Sequence, residues 1–517
     1  MTLSNTRFMT PKDWKSALIE PPGYGNHTRQ LGGYVRRDGT AGKPLHPAGA
    51  GVFEERLRLQ HQEARDRFEG LSLRRFHVHM PLLTVAKRQL NPLYTFLKAP
   101  LRLASTSVTV VLIDRQKVVT ADMGFYYNHK VLPTLRQRLE GANFKGLIAN
   151  LGYCMTESLI AGGYPWSHNN RYPRFPVPPV PAYLGFYYFR PPGSSDGLST
   201  FQGAHPAAVG IKQSGEIKII PRLEIDHYRV TLGGKTFVIR TVNSSDASAD
   251  VIAFTPQMPI PAGHPSIQDW QRYAPEIPLS DRLNIFIANQ GRGNTPVETV
   301  IDIWPDRAPL PSYGAVLSFD RIFFARHFGE SAIQHLRGQK SAIVPIGGTD
   351  FNAYRQIMGG LVPVVVNEKH LYSGNAREQV EQNLQHYGNA ASPLGRCARE
   401  SDNFDIFIRE PTGVFLETQD KIGWILFDGR HELSIGASVF DVAHILGMLQ
   451  HEGVFGQPVQ NALFIDGGSA MKVYAVQCDG QTARLEVLNR VAAGARNGPG
   501  EDRNGLNLYA ALDIELS

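Results

Sequence analysis

Gly423-Trp424-Ile425-Leu426-Phe427-Asp428-Gly429-Arg430 and, further on, Ala462-Leu463-Phe464-Ile465-Asp466-Gly467-Gly468-Ser469-Ala470-Met471 are the stretches that decide how this chain folds. Each is a short apolar run broken by Asp-Gly, the pattern of a buried strand that stops at a turn. Between them, Ser438 and Asp441 have the spacing of a capping box. Val439, Val442, Ala443, Leu446 and Leu449 then fall on one face of a helix, which Gly453 and Gly456 end. A strand, a helix and a strand in succession bring Asp428 and Asp466 to one edge of a sheet if the two strands are neighbours.

Working outward, the 517 residues are 42% hydrophobic and 19% charged, which gives a globular chain with a large core, in one big domain or two to three ordinary ones. No apolar run approaches the roughly twenty residues that a membrane span needs. Residues 1–21 mix Asn5, Arg7, Lys12, Asp13 and Lys15 into every window, so no signal-peptide core is read there. The expected location is the cytoplasm, or outside the cell by a non-classical route. Cys154, Cys397 and Cys478 are far apart and make no C-x-x-C, against a disulfide framework or a thiolate zinc site.

The net charge of +6 is unevenly spread: residues 1–104 hold 17 Lys and Arg against 8 Asp and Glu, so the basic excess is N-terminal. Residues 1–50 read as an extended Gly/Pro-rich arm and 52–69 as an amphipathic helix carrying Phe53, Leu57, Ala64 and Phe68. Such an arm suits an anionic polymer, its own body or another copy of the chain. His77 and His79 would share one face of a strand, a weak metal pair without an acidic or Cys partner nearby.

The texture changes at the Val108–Ile113 apolar run, so the division is residues 1–104 as the arm and 105–517 as the main domain. Residues 116–120 are expected to form its hairpin partner. Hairpins are read about Ser214-Gly215 and Gly233-Gly234, strands at 251–254 and 283–288, an apolar end at 314–319 to residues 294–319, and helices at 330–336 and 376–386. The aromatic, Pro-rich residues 164–193, with Trp166, Tyr172, Phe175, Tyr183, Phe186, Tyr187, Tyr188 and Phe189, read as a sugar-stacking loop or as a structural flap. The fold class expected from these signals is α+β: a mixed or antiparallel sheet packed with helices, with long Pro-rich inserted loops and the extended N-terminal arm.

The order Asp428-Gly429-Arg430, then Ser434-x-Gly436 before a helix, then Ala462-Leu463-x-x-Asp466-Gly467-Gly468-Ser469 resembles the C-terminal core of the phosphodiester glycosidase family. Residues 243–256, running into Thr255-Pro256, resemble the family's apolar run into Thr-Pro. Asn489-Arg490 and Glu501-Asp502-Arg503 resemble its Asn-Arg and Glu-Arg. Two glycines stand where the family has three, and its Asn-Gly-Gly-Phe-Phe has a loose counterpart in Ala161-Gly162-Gly163-Tyr164-Pro165.

The resemblance implies a hydrolase that cleaves a sugar phosphodiester or phosphate-linked glycan at the anomeric carbon. A phosphomonoester leaves without taking a proton, so the chemistry needs phosphate binding, stabilisation of positive charge on the sugar ring and activation of water. Asp466 and Asp428 are the candidates for base or charge-stabilising carboxylate, with Glu432 and His431 as second choices. Arg430, Arg490 and Arg503 are candidates for a bidentate phosphate clamp, with Asn489 beside them. Gly467, Gly468 and Ser469 would offer N–H groups and a hydroxyl to the same oxygens. No metal ligand is assigned; Ca²⁺ or Mg²⁺ is the divalent cation such a site would take. Two alternatives stand beside this: a non-catalytic binding or assembly protein on a retired glycosidase fold, and an intracellular enzyme acting on nucleotide or nucleic-acid substrates.

Overall fold

The computed structural model describes residues 69–80, 104–125, 143–152, 154–155, 182–183, 185–203, 205–256, 276–288, 296–311, 313–371, 412–428, 436–437, 439–465, 472–479, 483–489 and 510–517. It corrects the α+β expectation: the chain is mostly β, in sheets of eleven, eight and five strands and a small two-stranded one. Among the described residues, α-helix is confined to Arg321–Phe328, Ile333–Leu336 and Val439–His451. The reason lies in the linking segments, where alternation and Gly turns recur too often to leave room for helices. None of these helices is long and apolar enough to cross a membrane.

The eleven-stranded sheet begins with Leu71–Met80, Ala104–Asp114, Lys421–Phe427, Thr412–Glu417 and Asn461–Ile465, in that lateral order. The two motif strands are therefore not neighbours. Thr412–Glu417 stands between Lys421–Phe427 and Asn461–Ile465, antiparallel to both. They run parallel to each other, about 10 Å apart by two strand spacings. Phe427 lies opposite Thr412, and both Leu426 and Ile465 lie opposite Gly413, so the two strands end almost level. Gly423 allows the tight fit on the other side, because a Cβ there would meet the carbonyl oxygen of Val111 at 2.0 Å.

The helix Val439–His451 connects these parallel strands, and Val442, Ala443, Ile445, Leu446 and Leu449 pack onto Val414, Leu416, Ile425, Phe427 and Phe464. Val442, Ala443, Leu446 and Leu449 belong to the stripe expected from the sequence; Ile445 joins them, and the side chain of Val439 lies outside the described ones. The opposite face, with Phe415, Trp424, Leu426, Leu463 and Ile465, packs on the five-stranded sheet through Leu147, Ala149, Val473, Leu512 and Ile514. Burying a large side chain in such a layer contributes about 1.5–3 kcal/mol.

The hairpins about Gly215 and about Gly233-Gly234 are present, with all three glycines at positive φ. Residues 116–120 are not a hairpin partner of Ala104–Asp114. After the turn Arg115–Lys117 the chain leaves the sheet, and Val118–Phe125 pairs with Ala510–Leu516 in the five-stranded sheet. The helix expected at 330–336 is a short 3-10 turn followed by Ile333–Leu336, while those at 52–69 and 376–386 lie outside the described residues. Leu71–Met80 pairs with Ala104–Asp114 along its whole length, so the sheet runs unbroken across position 104. Phe186, Tyr187 and Tyr188 are core residues, not sugar-stacking rings.

At the far end of the central strand the Glu417 carboxylate is buried. It accepts from Arg115 Nη2 at 2.8 Å, Asn461 Nδ2 at 2.8 Å and the Ile219 amide at 3.3 Å. Arg115 also donates to the Ile217 carbonyl at 2.7 Å, so one ion pair joins four segments. Glu417→Ala strands the guanidinium, and urea unfolding is expected to show a loss of about 3–5 kcal/mol; a loss below about 1 kcal/mol would contradict that role.

In the eight-stranded sheet Glu298 is buried, and burial pushes its carboxyl up to about 8. Between the unfolded value, near 4.5, and about 8, the folded protein keeps a proton that the unfolded chain releases. Stability is therefore full below the unfolded pKa and falls as pH rises through this window. Glu298→Gln is expected to flatten the decline in Tm between pH 5 and pH 8; identical Tm profiles for parent and variant would contradict the shift.

Candidate active site

The level ends of Lys421–Phe427 and Asn461–Ile465 form the edge to which the sequence assigns its carboxylates. Asp428 continues the ladder one residue past its strand: its amide donates to the Ser107 carbonyl at 2.9 Å. The Thr106 hydroxyl donates to the Asp428 carbonyl at 3.1 Å. Both bonds fix the backbone, and Asp428 is 4% exposed. Alternation from Trp424 and Leu426 puts its carboxylate on the side of the five-stranded sheet.

A cation arrives from the edge of the same sheet. Arg75 lies opposite Thr109, which lies opposite Leu426, so Arg75 is two strands over and two residues along from Asp428. Its Nη2 donates to the Leu488 carbonyl at 3.1 Å. The Leu488 amide in turn donates to the Val473 carbonyl at 2.8 Å, and Asn489 Oδ1 accepts from the Val473 amide at 3.1 Å. These bonds bring the start of Val473–Asp479 to the same end of the inter-sheet layer. Lys472 precedes that strand, and its carbonyl accepts from the Asn150 amide at 3.1 Å. Asn150, Lys472 and Asn489 are all buried, at 0%, 2% and 2% exposure.

Asp428 and Arg75 share the inter-sheet face of the eleven-stranded sheet, while alternation from Ala149 and Val473 puts Asn150 and Lys472 on the far face of the five-stranded sheet. The chemistry of the inter-sheet end is that of a guanidinium beside a carboxylate. Among the described residues no group of three or more His, Cys, Asp and Glu is arranged to hold a metal.

Of the residues named from sequence, Asp428 and Asn489 are described, and they lie at this one end. Arg430, His431, Glu432, Asp466, Gly467, Gly468, Ser469, Arg490 and Arg503 lie outside the described residues, as do the side chains of His77 and His79. Arg75, Asn150 and Lys472 escaped the motif reading. Asn150 left a legible signal as the one amide in Leu147-Ile148-Ala149-Asn150-Leu151, and Lys472 is a charge placed between Met471 and Val473 at the head of an apolar strand.

No protein-family model matches the chain, and no curated protein does. Solved structures resemble it distantly. A hypothetical protein from Synechocystis matches with a TM-score of 0.38 and 14% identity, over 87% of this chain and 62% of that one. A putative exported protein from Burkholderia pseudomallei matches with a TM-score of 0.38 and 12% identity, over 80% and 74%. The catalytic domain of zebrafish N-acetylglucosamine-1-phosphodiester alpha-N-acetylglucosaminidase, auto-inhibited by its pro-peptide, matches with a TM-score of 0.33 and 10% identity, over 92% and 96%. One of these neighbours is thus a glycosidase, and at these scores the likenesses decide nothing about chemistry. This chain spans less than two thirds of the Synechocystis protein.

If these groups serve binding, removing one costs function more than fold. Arg75→Ala is expected to keep Tm within a few degrees while lowering turnover of a phosphate-linked sugar at least tenfold; a collapse in Tm with turnover per folded molecule intact would contradict this.

Proposed function

We propose that the chain is a hydrolase of the phosphodiester glycosidase kind, which splits a sugar from phosphate at the anomeric carbon. The observation that carries this reading is that the Asp428 carboxylate and the Arg75 guanidinium share the inter-sheet face at the level ends of the motif strands, where Arg75 bonds the Leu488 carbonyl next to Asn489. Cations near carboxylates are what this reaction needs, because the leaving group is already an anion. The sequence adds Asp466-Gly467-Gly468-Ser469 directly after the strand Asn461–Ile465.

In this reading water attacks the anomeric carbon, the carbon–oxygen bond to phosphate breaks, and the bonding pair leaves with the phosphomonoester. One of Asp428 and Asp466 takes the proton from water while the other faces the positive ring. Arg75 holds the phosphate, joined by Arg430, Arg490 or Arg503. The substrate is a sugar phosphodiester or a phosphate-bearing glycan.

A phosphorus NMR time course over a panel of sugar phosphodiesters, nucleotide sugars and phosphate-bearing polysaccharides tests it, run with and without Ca²⁺ or Mg²⁺. The parent is expected to yield new phosphomonoester signal, and Asp428→Asn and Asp466→Asn to lose about a hundredfold or more in rate. No new signal from the parent across the panel would overturn the hydrolase reading.

A further inference from the structure

We infer that Thr412 is a substrate-contacting residue whose hydroxyl hydrogen-bonds a ring hydroxyl of the sugar, in a subsite separate from the cations that take the phosphate. The substrate class here rests on the hydrolase reading above; the vacant hydrogen-bonding capacity of Thr412 does not. Thr412 is 2% exposed, and its Oγ1 is fully buried without a hydrogen-bond partner. A buried hydroxyl left unpaired destabilises the fold. Valine has nearly the same shape and an equal liking for strands, so packing alone gives no reason for the oxygen.

Its position supplies the reason. Thr412 opens the strand that separates Lys421–Phe427 from Asn461–Ile465, opposite Phe427 and one residue from the pairing of Gly413 with Ile465. It thus stands at the middle of the three strand ends, and the chain on either side runs directly into Asp428 and into Asp466. Alternation from Val414 and Leu416 puts its side chain on the helix-bearing face, whereas Asp428 and Arg75 belong to the face towards the five-stranded sheet.

A phosphate needs a cation, so it belongs with Arg75 on the face towards the five-stranded sheet. What fits a hydroxyl on the helix-bearing face, away from that cation, is a neutral group that both donates and accepts, and a sugar hydroxyl is such a group. The sheet end is then divided, with the sugar over the central strand and the phosphate towards the five-stranded sheet.

The test compares Thr412→Val and Thr412→Ser with the parent in three measurements: Tm without ligand, kcat/KM on a substrate the parent hydrolyses, and inhibition by inorganic phosphate. Thr412→Val is expected to match or exceed the parent in Tm, lose about 10- to 100-fold in kcat/KM, and keep phosphate inhibition within about twofold. Thr412→Ser is expected to retain most of kcat/KM. Unchanged kcat/KM in Thr412→Val overturns the inference, as does a parallel loss of phosphate inhibition, or a lower Tm that Ser restores. If the parent hydrolyses nothing, the hydrolase reading fails by itself. Saturation-transfer NMR with free monosaccharides then decides the hydroxyl: binding by the parent that Thr412→Val loses supports it, and no binding, or binding equal in both, overturns it.

Discussion

The strand Thr412–Glu417 is buried along its whole length and hydrogen-bonds to a neighbour on each side, so the registers of Lys421–Phe427 and Asn461–Ile465 are both set by it. A shift of one residue would turn every side chain on it to the opposite face and mix the two apolar layers. Glu417 blocks such a shift: its carboxylate is held by Arg115, Asn461 and the Ile219 amide, a set of partners that fits only one alignment. The alignment of the other end, where the two motif strands stop level, follows from this one. The candidate site inherits its geometry from a charge pair at the far end of the same strand.

The two faces of the sheet then differ in use. One carries the helix Val439–His451, and the other carries a second sheet whose strands bring polar groups from elsewhere in the chain. Arg75 reaches Asp428 through the pairing of Leu71–Met80 and Ala104–Asp114 within the eleven-stranded sheet, and the packing of the five-stranded sheet on it brings in Leu488 and Asn489 from the other end of the chain. An end of an apolar layer is also a place from which water is excluded, which strengthens charge interactions with a bound phosphate.

How much of this was legible varied with distance along the chain. The strands about Trp424 and Phe464, the helix with Leu446 and Leu449, and the hairpins about Gly215 and Gly233 were readable because their signals are local. The strand between the motif strands was not, because Thr412-Gly413-Val414-Phe415-Leu416-Glu417 has the texture of a strand but no mark of its partners. The same lack of partner information made residues 116–120 look like a hairpin arm, when the chain turns at Arg115–Lys117 and joins another sheet. Asp428 and Asn489 came from motif order. Arg75 did not, since an arginine in an alternating edge strand is normally a solvated one, and only its bond to the Leu488 carbonyl reveals the inward course of its side chain.

The central claim is that one sheet end binds both halves of a phosphate-linked sugar, each on its own set of residues. The most direct measurement is a crystal structure of the protein with a sugar 1-phosphate bound. The account predicts the phosphorus beside the Arg75 guanidinium, and the sugar ring over the end of Thr412–Glu417, within hydrogen-bonding reach of Thr412 Oγ1. A ligand seated away from the ends of Lys421–Phe427 and Asn461–Ile465, or with its phosphate on Thr412 and its sugar on the cations, would contradict it.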